Sequence, residues 1–120
     1  MRLGVIGSRD FKGKVYDNYG YIAAMLESIQ YPVTTVISGG GLGVEKLVEK
    51  WAKDTSREMQ VIPPNIKAHG QKQAFTMRNI EIARSCDLLI LFWDGVNGYV
   101  YVPMAQANVE GKRVIVLPME

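Results

Sequence analysis

Residues 34–56, with the sequence TTVISGGGLGVEKLVEKWAKDTS, place a short apolar run, a glycine-rich turn and a helical pattern in direct succession. The run Thr34–Ile37 is β-branched throughout, which is typical of a strand. From Gly43 to Ser56 the apolar residues recur at the spacing of one helix face. The stretch therefore predicts a strand that ends in the turn Ser38–Gly43 and leads directly into a helix.

The same alternation of short apolar runs and helical patterns extends along the chain. The predicted strands are Leu3–Ile6, Thr34–Ile37, Met59–Ile62, Leu88–Trp93 and Val114–Leu117. The predicted helices are Asp17–Gln30, Gly43–Ser56, Gln71–Ser85 and Val102–Glu110, and we expect a loop at Asn65–Gly70. Parallel strands joined by right-handed crossovers are covered by helices on both faces. We therefore predict an α/β fold, a three-layer Rossmann-like sandwich with a five-stranded parallel sheet in the order 3-2-1-4-5.

Composition limits the class of protein. The length of 120 residues fits a single domain, residues 1–120. The only cysteine, Cys86, excludes a disulfide within the chain, and with a single histidine we expect no metal site. The net charge of +2, without a basic stripe, argues against nucleic acid as a partner. We see no membrane-spanning run and no signal-peptide pattern, and we expect a cytoplasmic protein without a membrane partner.

Three glycine-rich turns each follow a predicted strand. They are Gly7–Asp10, Ser38–Gly43 and Asp94–Gly98. In the predicted strand order, the carboxyl ends of strands one, two and four are neighbours at the topological switch point, where open α/β sheets bind ligands. Backbone N–H groups at such turns and at helix starts can hold an anion. The three turns therefore predict a shared pocket for a phosphate-bearing ligand.

Several polar residues in and near these turns have two open interpretations each. The Arg9 guanidinium can hold a phosphate or pair with a neighbouring carboxylate. Glu45 can accept a ribose hydroxyl or complement the helix dipole. Asp94 can accept a sugar hydroxyl, act as a base or form an Asx turn. Asn79 falls on an apolar helix stripe, where an amide needs partners, and the adjacent Arg78 can reach the pocket. The candidate ligand-binding residues are Gly7, Ser8, Arg9, Ser38, Gly39, Gly40, Gly41, Gly43, Glu45, Arg78, Asn79, Asp94, Gly95, Asn97 and Gly98.

Taken together, these motifs resemble the YspA-like, cpYpsA-related family of the SLOG superfamily. The residues that carry the resemblance occur in the same order in that family: Val5-Ile6-Gly7-Ser8-Arg9-Asp10-Phe11, Val36-Ile37-Ser38-Gly39-Gly40 with Gly43, the pair Arg78-Asn79, and Asp87 followed by Phe92-Trp93-Asp94-Gly95 and Gly98. The superfamily includes the LOG phosphoribohydrolases and the DNA-processing proteins of the Smf/DprA type. The resemblance implies a Rossmann-like fold and a pocket for a nucleotide or nucleotide-derived molecule at the candidate residues.

The sequence departs from the LOG enzymes in the turn after the fourth strand. Those enzymes carry Gly-Gly-x-Gly-Thr-x-x-Glu there, with the threonine on phosphate and the glutamate in catalysis. In this chain Tyr99 stands at the threonine position and Val102 at the glutamate position. A valine cannot handle a proton or stabilise a positively charged transition state. The departure favours binding of a ligand over its chemical conversion.

Three functions follow from these residues and the resemblance. The first is binding of a nucleotide or nucleotide derivative, as a sensor. The alternative is a hydrolase that cleaves an N-glycosidic or phosphate bond, with Asp94 or Glu45 as the catalytic carboxylate. A nucleic-acid module, by analogy with the DNA-processing relatives, is the third, and the low net charge argues against it. We expect no cofactor, and we expect a homo-oligomer, since small Rossmann-like domains commonly pair.

Overall fold

Strands and helices alternate through the residues that the computed structural model describes, which are 1–7 and 19–118. The strands are β1 (Arg2–Gly7), β2 (Thr35–Ser38), β3 (Glu58–Val61), β4 (Leu88–Trp93) and β5 (Arg113–Pro118). The helices are α1 (Tyr19–Glu27), α2 (Val44–Asp54), α3 (Ile66–His69), α4 (Gln71–Ser85) and α5 (Tyr101–Val109), with a short 3-10 turn at Gly98–Val100.

All five strands are parallel and lie in the order β3-β2-β1-β4-β5. This order and the surrounding helices confirm the predicted three-layer α/β fold. Gly7 is paired in register with Phe92, and Ser38 with Val61. The carboxyl ends of β1, β2 and β4 therefore lie side by side, as predicted for the strands that precede the three glycine turns. We call this end of the sheet its carboxyl-end edge.

Alternating side chains of the strands point into two cores, one on each face of the sheet. In β4, Leu88, Ile90 and Phe92 belong to the core beneath α1 and α2, whereas Leu89 and Leu91 belong to the core beneath α4 and α5. Both sets are buried, which explains why β4 is a continuous apolar run without alternating polar residues. The two cores fix the sheet between the helical layers and hold its carboxyl-end edge in place.

Two helical regions differ most from the prediction, whereas α2 and α5 differ by only one or two residues at their ends. The expected loop Asn65–Gly70 contains the single-turn helix α3, and the Asn65 side chain caps it by accepting a hydrogen bond from the Ala68 N–H at 3.2 Å. Helix α1 ends at Glu27 instead of Gln30. The Ser28 hydroxyl donates to the carbonyl of Met25 at 2.6 Å, which competes with the helical hydrogen bonds at this end. Among residues 1–7 and 19–118, none of the helices has the length and apolar character that crossing a membrane requires.

Candidate functional site

The carboxylate of Glu45 joins the end of β1 to the turn after β2. Glu45 is the second residue of α2 and is only 3% exposed. Its Oε1 accepts a hydrogen bond from the Gly41 N–H at 2.9 Å, and its Oε2 accepts one from the Gly7 N–H at 3.4 Å. A buried carboxylate needs donors of this kind, and backbone N–H groups supply them. Glu45 thus anchors the start of α2 to the end of β1 and to the glycine turn after β2.

Gly7 allows α2 to approach the end of β1. A Cβ atom on residue 7 would lie 2.7 Å from the Cβ of Val44, the first residue of α2. This distance is shorter than any normal contact between carbon atoms. Because Gly7 has no side chain, the first turn of α2 can pack directly on the carboxyl end of β1.

The turn between β2 and α2 is shaped by two glycines with positive φ. Gly40 has φ +72° and Gly43 has φ +76°, values that favour glycine. The Gly40 N–H donates to the hydroxyl of the buried Ser38 at 3.3 Å. Gly43 is the N-cap of α2, and among residues 1–7 and 19–118 no side chain caps the helix there. The N–H groups of Val44 and Glu45 have no acceptor within α2 and present the positive end of the helix dipole at this edge, whereas the Lys46 N–H donates to the Gly43 carbonyl at 3.1 Å.

Helix α4 brings a guanidinium group to the same turn. Arg78 Nη1 donates to the carbonyl of Gly39 at 3.1 Å, and Arg78 Nε donates to Oδ1 of Asn79 at 2.9 Å. The guanidinium carbon also lies 5.2 Å from the ring centre of Phe75, a cation–π contact. Asn79 is only 7% exposed, so its position on the apolar stripe is explained by its bond to Arg78. This pair links α4 to the glycine turn after β2.

The turn after β4 is held closed by its own hydrogen bonds. Asp94 Oδ1 accepts from the N–H groups of Val96 and Asn97, each at 2.9 Å, and Oδ2 accepts from the side-chain amide of Asn97. The indole N–H of Trp93 donates to the Asn97 carbonyl at 2.7 Å. Gly95 has φ +81°. This geometry is that of an Asx turn, which is one of the three interpretations open for Asp94.

These bonds determine the charge state of the Asp94 carboxyl. Partial burial acts to raise its pKa, but the hydrogen bonds from Val96 and Asn97 outweigh that effect, and the pKa lies below its usual value. Asp94 is thus held as a carboxylate anion. An acid of this kind is a poor proton donor near neutral pH.

Tyr99 fastens the same turn to the sheet. Its hydroxyl donates to the Phe92 carbonyl at 2.6 Å. Burial, and then the negative charge of Asp94, raise the pKa of Tyr99 to about 12. Because Phe92 is the register partner of Gly7, the Tyr99 hydroxyl lies at the carboxyl ends of β1 and β4. The hydroxyl of Tyr99 therefore binds the protein's own backbone.

The described candidate residues all lie at or beside this carboxyl-end edge, in two groups. The first surrounds the start of α2 and consists of Gly7, Ser38, Gly39, Gly40, Gly41, Gly43, Glu45, Arg78 and Asn79. The second forms the turn after β4 and consists of Asp94, Gly95, Asn97 and Gly98. Ser8 and Arg9 lie outside the described residues. The described residues contain no cluster of three or more His, Cys, Asp or Glu side chains able to hold a metal ion.

Three contributors to the site were missed by the sequence reasoning. Val44 packs where a Gly7 side chain would be, Phe75 lies under Arg78, and the Phe92 carbonyl holds Tyr99. The contact of Phe75 with Arg78 could have been predicted from the sequence, since the two residues are spaced at i, i+3 on one helix face. The other two depend on contacts between separate elements.

Comparisons with known proteins bear on the fold alone. No protein-family model matches the chain, and no curated protein matches it. The X-ray structure of TM1055, a target of the Northeast Structural Genomics Consortium, is similar, with a TM-score of 0.65 and 21% sequence identity. The similarity covers 94% of this chain and 71% of that chain. The solved structure therefore supports the Rossmann-like architecture.

Proposed function

We propose that this protein binds a nucleotide or nucleotide-derived ligand at the carboxyl ends of β1, β2 and β4, as a SLOG-like sensor. The observation that carries the proposal is the convergence of three features at the switch point of the sheet. These are the glycine turn after β2, the start of α2 with Gly43 as its N-cap, and the Arg78 guanidinium bonded to Gly39. A phosphate is the ligand group that such an arrangement suits best.

The N–H donors that we assign to the phosphate are those that are not already engaged in hydrogen bonds within the protein. The N–H groups of Gly7 and Gly41 are engaged by Glu45, so these two glycines shape the site and do not supply donors. In the first turn of α2, the Lys46 N–H donates to the Gly43 carbonyl at 3.1 Å, whereas the N–H groups of Val44 and Glu45 have no acceptor within the helix. We therefore assign the phosphate to the start of α2, beside Gly43, with Arg78 as the neighbouring positive charge.

Both candidate carboxylates already accept hydrogen bonds within the protein, which favours ligand binding over ligand hydrolysis. Both oxygens of Glu45 accept backbone N–H groups, and Asp94 accepts hydrogen bonds at both of its oxygens within its own turn. A general acid or base needs access to the substrate and a pKa near the working pH. With its pKa below the usual value and its oxygens engaged, Asp94 acts as a structural group in this proposal.

A thermal-shift series tests the proposal. The ligands are nucleoside monophosphates and diphosphates, ADP-ribose and cyclic nucleotides, with the matching phosphate-free nucleosides as controls. A ligand at a hundred times its dissociation constant adds about 2.7 kcal/mol to the free energy of unfolding, which raises Tm measurably. We expect a rise for phosphate-bearing compounds and none for the nucleosides.

Two variants on the same helix locate the effect. R78A is expected to lose most of the ligand-induced shift, whereas R84A, an exposed arginine on α4, should behave like the native chain. The proposal fails if no phosphate-bearing compound raises Tm, or if R78A responds like R84A. Chromatography of the stabilising compound after incubation separates the functions, since a hydrolase would release base or phosphate.

A further inference from the structure

A cleft opens beside Arg78 between α3 and α4, next to the candidate site. It has a volume of about 220 Å³ and is lined by residues that follow β3 and by residues of α3 and α4. Arg78 lines the cleft and also donates to the Gly39 carbonyl at 3.1 Å. Ile62 lines it as well, and its N–H donates to the Ser38 carbonyl at 2.9 Å. Two lining residues therefore connect this α3–α4 cleft to the glycine turn after β2.

The lining of the α3–α4 cleft combines apolar surface with a few polar groups. Ile62, Pro63 and Met77 supply the apolar part, and Met77 is 41% exposed. The His69 ring and the Glu81 carboxylate supply polar groups from α3 and α4. Among residues 1–7 and 19–118, Glu81 forms no ion pair. The cleft thus offers an apolar surface with a hydrogen-bond acceptor beside it.

Size and charge restrict what the cleft can hold. Pockets that enclose a whole small-molecule ligand have volumes of about 300–1,000 Å³, so a smaller cleft suits one part of a ligand. The Glu81 carboxylate would repel a second phosphate. A planar heterocycle fits both features of the lining. A thioether such as that of Met77 packs well on an aromatic ring, and a carboxylate accepts the N–H groups of the ring edge.

We propose that the α3–α4 cleft receives the nucleobase of the ligand and selects a base that carries an amino group. This inference rests on the proposed function and assigns the second part of the same ligand. With the phosphate at the start of α2, the ligand runs along the glycine turn after β2, and Arg78 borders both parts. Glu81 accepts a hydrogen bond from the amino group, and Met77 packs against the face of the base.

Two pairs of nucleotides test the selection, because the members of each pair differ by one amino group. They are AMP with purine riboside 5′-monophosphate, and GMP with inosine 5′-monophosphate. In a calorimetric titration, the native chain should bind the amino-bearing member of at least one pair at least about tenfold more tightly than the other member. This is the effect expected of one hydrogen bond to a charged acceptor. Ribose 5-phosphate, which carries the phosphate without a base, should bind more weakly still.

Two variants in the cleft and one outside it locate the effect. E81A should abolish the difference within the pair, whereas M77A should weaken both members by about two- to tenfold and keep the difference. R84A, exposed on α4 and outside the cleft lining, should match the native chain. Glu81 and Met77 are both exposed, so E81A and M77A should keep the native Tm in the absence of ligand.

The outcomes separate this inference from the proposed function. If all five compounds bind with equal strength, the phosphate site stands and the assignment of the base is overturned. Equal binding within both pairs overturns it too, as does a preference for the amino group that E81A retains, or an equal response of M77A and R84A. If none of the five compounds binds, the proposed function fails, and this inference fails with it.

Discussion

The guanidinium of Arg78 occupies the place where a side chain on Gly39 would stand. A Cβ atom built on residue 39 would lie 2.0 Å from Arg78 Nη1 and 2.4 Å from its Cζ. The glycine and the arginine are therefore a coupled pair, although 39 residues separate them in the chain. The absence of a side chain at position 39 lets a positive charge reach the backbone of the turn.

We expect G39A to affect ligand binding more than stability. The methyl group would displace the end of a long side chain, which can move, and the loss of one charge-assisted hydrogen bond costs about 1.5–3 kcal/mol at most. The ligand-induced rise in Tm should fall as it does for R78A. Chemical denaturation together with the thermal-shift series measures both effects. An unchanged ligand response would separate Gly39 from the binding site.

G7A should affect stability more strongly than G39A. The added methyl would press on Cβ and Cγ1 of Val44, which belong to the start of a helix and cannot swing aside. Overpacking of this kind lowers the free energy of unfolding by about 1–3 kcal/mol. Urea denaturation gives the difference. A G7A variant as stable as the native chain would mean that α2 moves away from the added methyl group without lowering the free energy of unfolding.

E45Q is expected to destabilise the fold because it turns one acceptor into a donor. The amide would keep one hydrogen bond, while its NH2 group faces the N–H of Gly7 or Gly41. A buried donor left without a partner costs about 1–3 kcal/mol. E49Q serves as the control, because Glu49 is a half-buried glutamate on α2 with a long ion pair to Lys46 at 3.8 Å, and it should change stability by less than about 0.5 kcal/mol. Equal stability of the two variants would contradict the anchoring role of Glu45.

D94N should reduce the loss of stability in acid. Since the pKa of Asp94 is lower in the folded chain than its ordinary value of 3.8, its contribution is present above that value. The contribution is lost as the pH falls through the folded pKa. The native chain should therefore lose stability more steeply than D94N below about pH 4. Denaturation midpoints at a series of acidic pH values give the two slopes, and parallel slopes would argue against this role.

Y99F should remove a tyrosine titration at high pH. With its pKa raised from 10.0 to about 12, Tyr99 contributes stability that is complete below pH 10 and is lost as the pH rises through about 12. The variant should lack the last tyrosinate absorbance step and lose less stability over that interval. At neutral pH the missing bond to Phe92 should cost about 1 kcal/mol. If all steps persist in Y99F, another tyrosine has the raised pKa.

Most of the architecture could be predicted from local sequence. The strands are short apolar runs, and α2 has its apolar stripe at helical spacing, so their type follows from pattern alone. The rule of right-handed crossovers restricts the possible strand orders, and the predicted order 3-2-1-4-5 is the one observed. The short helix α3 was missed because a single turn has no apolar periodicity. Its cap on Asn65 is a weak signal in a segment rich in proline and glycine.

The site was predicted as a location but not as a set of contacts. The glycines at 39, 40 and 43 follow a predicted strand, and this marks the turn. The partner of Glu45 at Gly7 lies 38 residues away, so no local pattern identifies it. The choice between a ligand contact and an internal bond for Asp94 depends on the conformation of its turn. Sequence patterns therefore predict at which end of the sheet the candidate residues lie. Tertiary packing determines which of their polar groups remain available to a ligand.

The bond from Trp93 to Asn97 gives the molecule an optical reporter. The emission of an indole depends on its hydrogen bonding and polarity, so opening of the turn after β4 should change the fluorescence of Trp93. Trp51, the other tryptophan, is 1% exposed in the core under α1 and α2. It should be insensitive to that turn, and a W51F variant would isolate the Trp93 signal. Occupation of the carboxyl-end edge could thus be followed in real time without a labelled ligand.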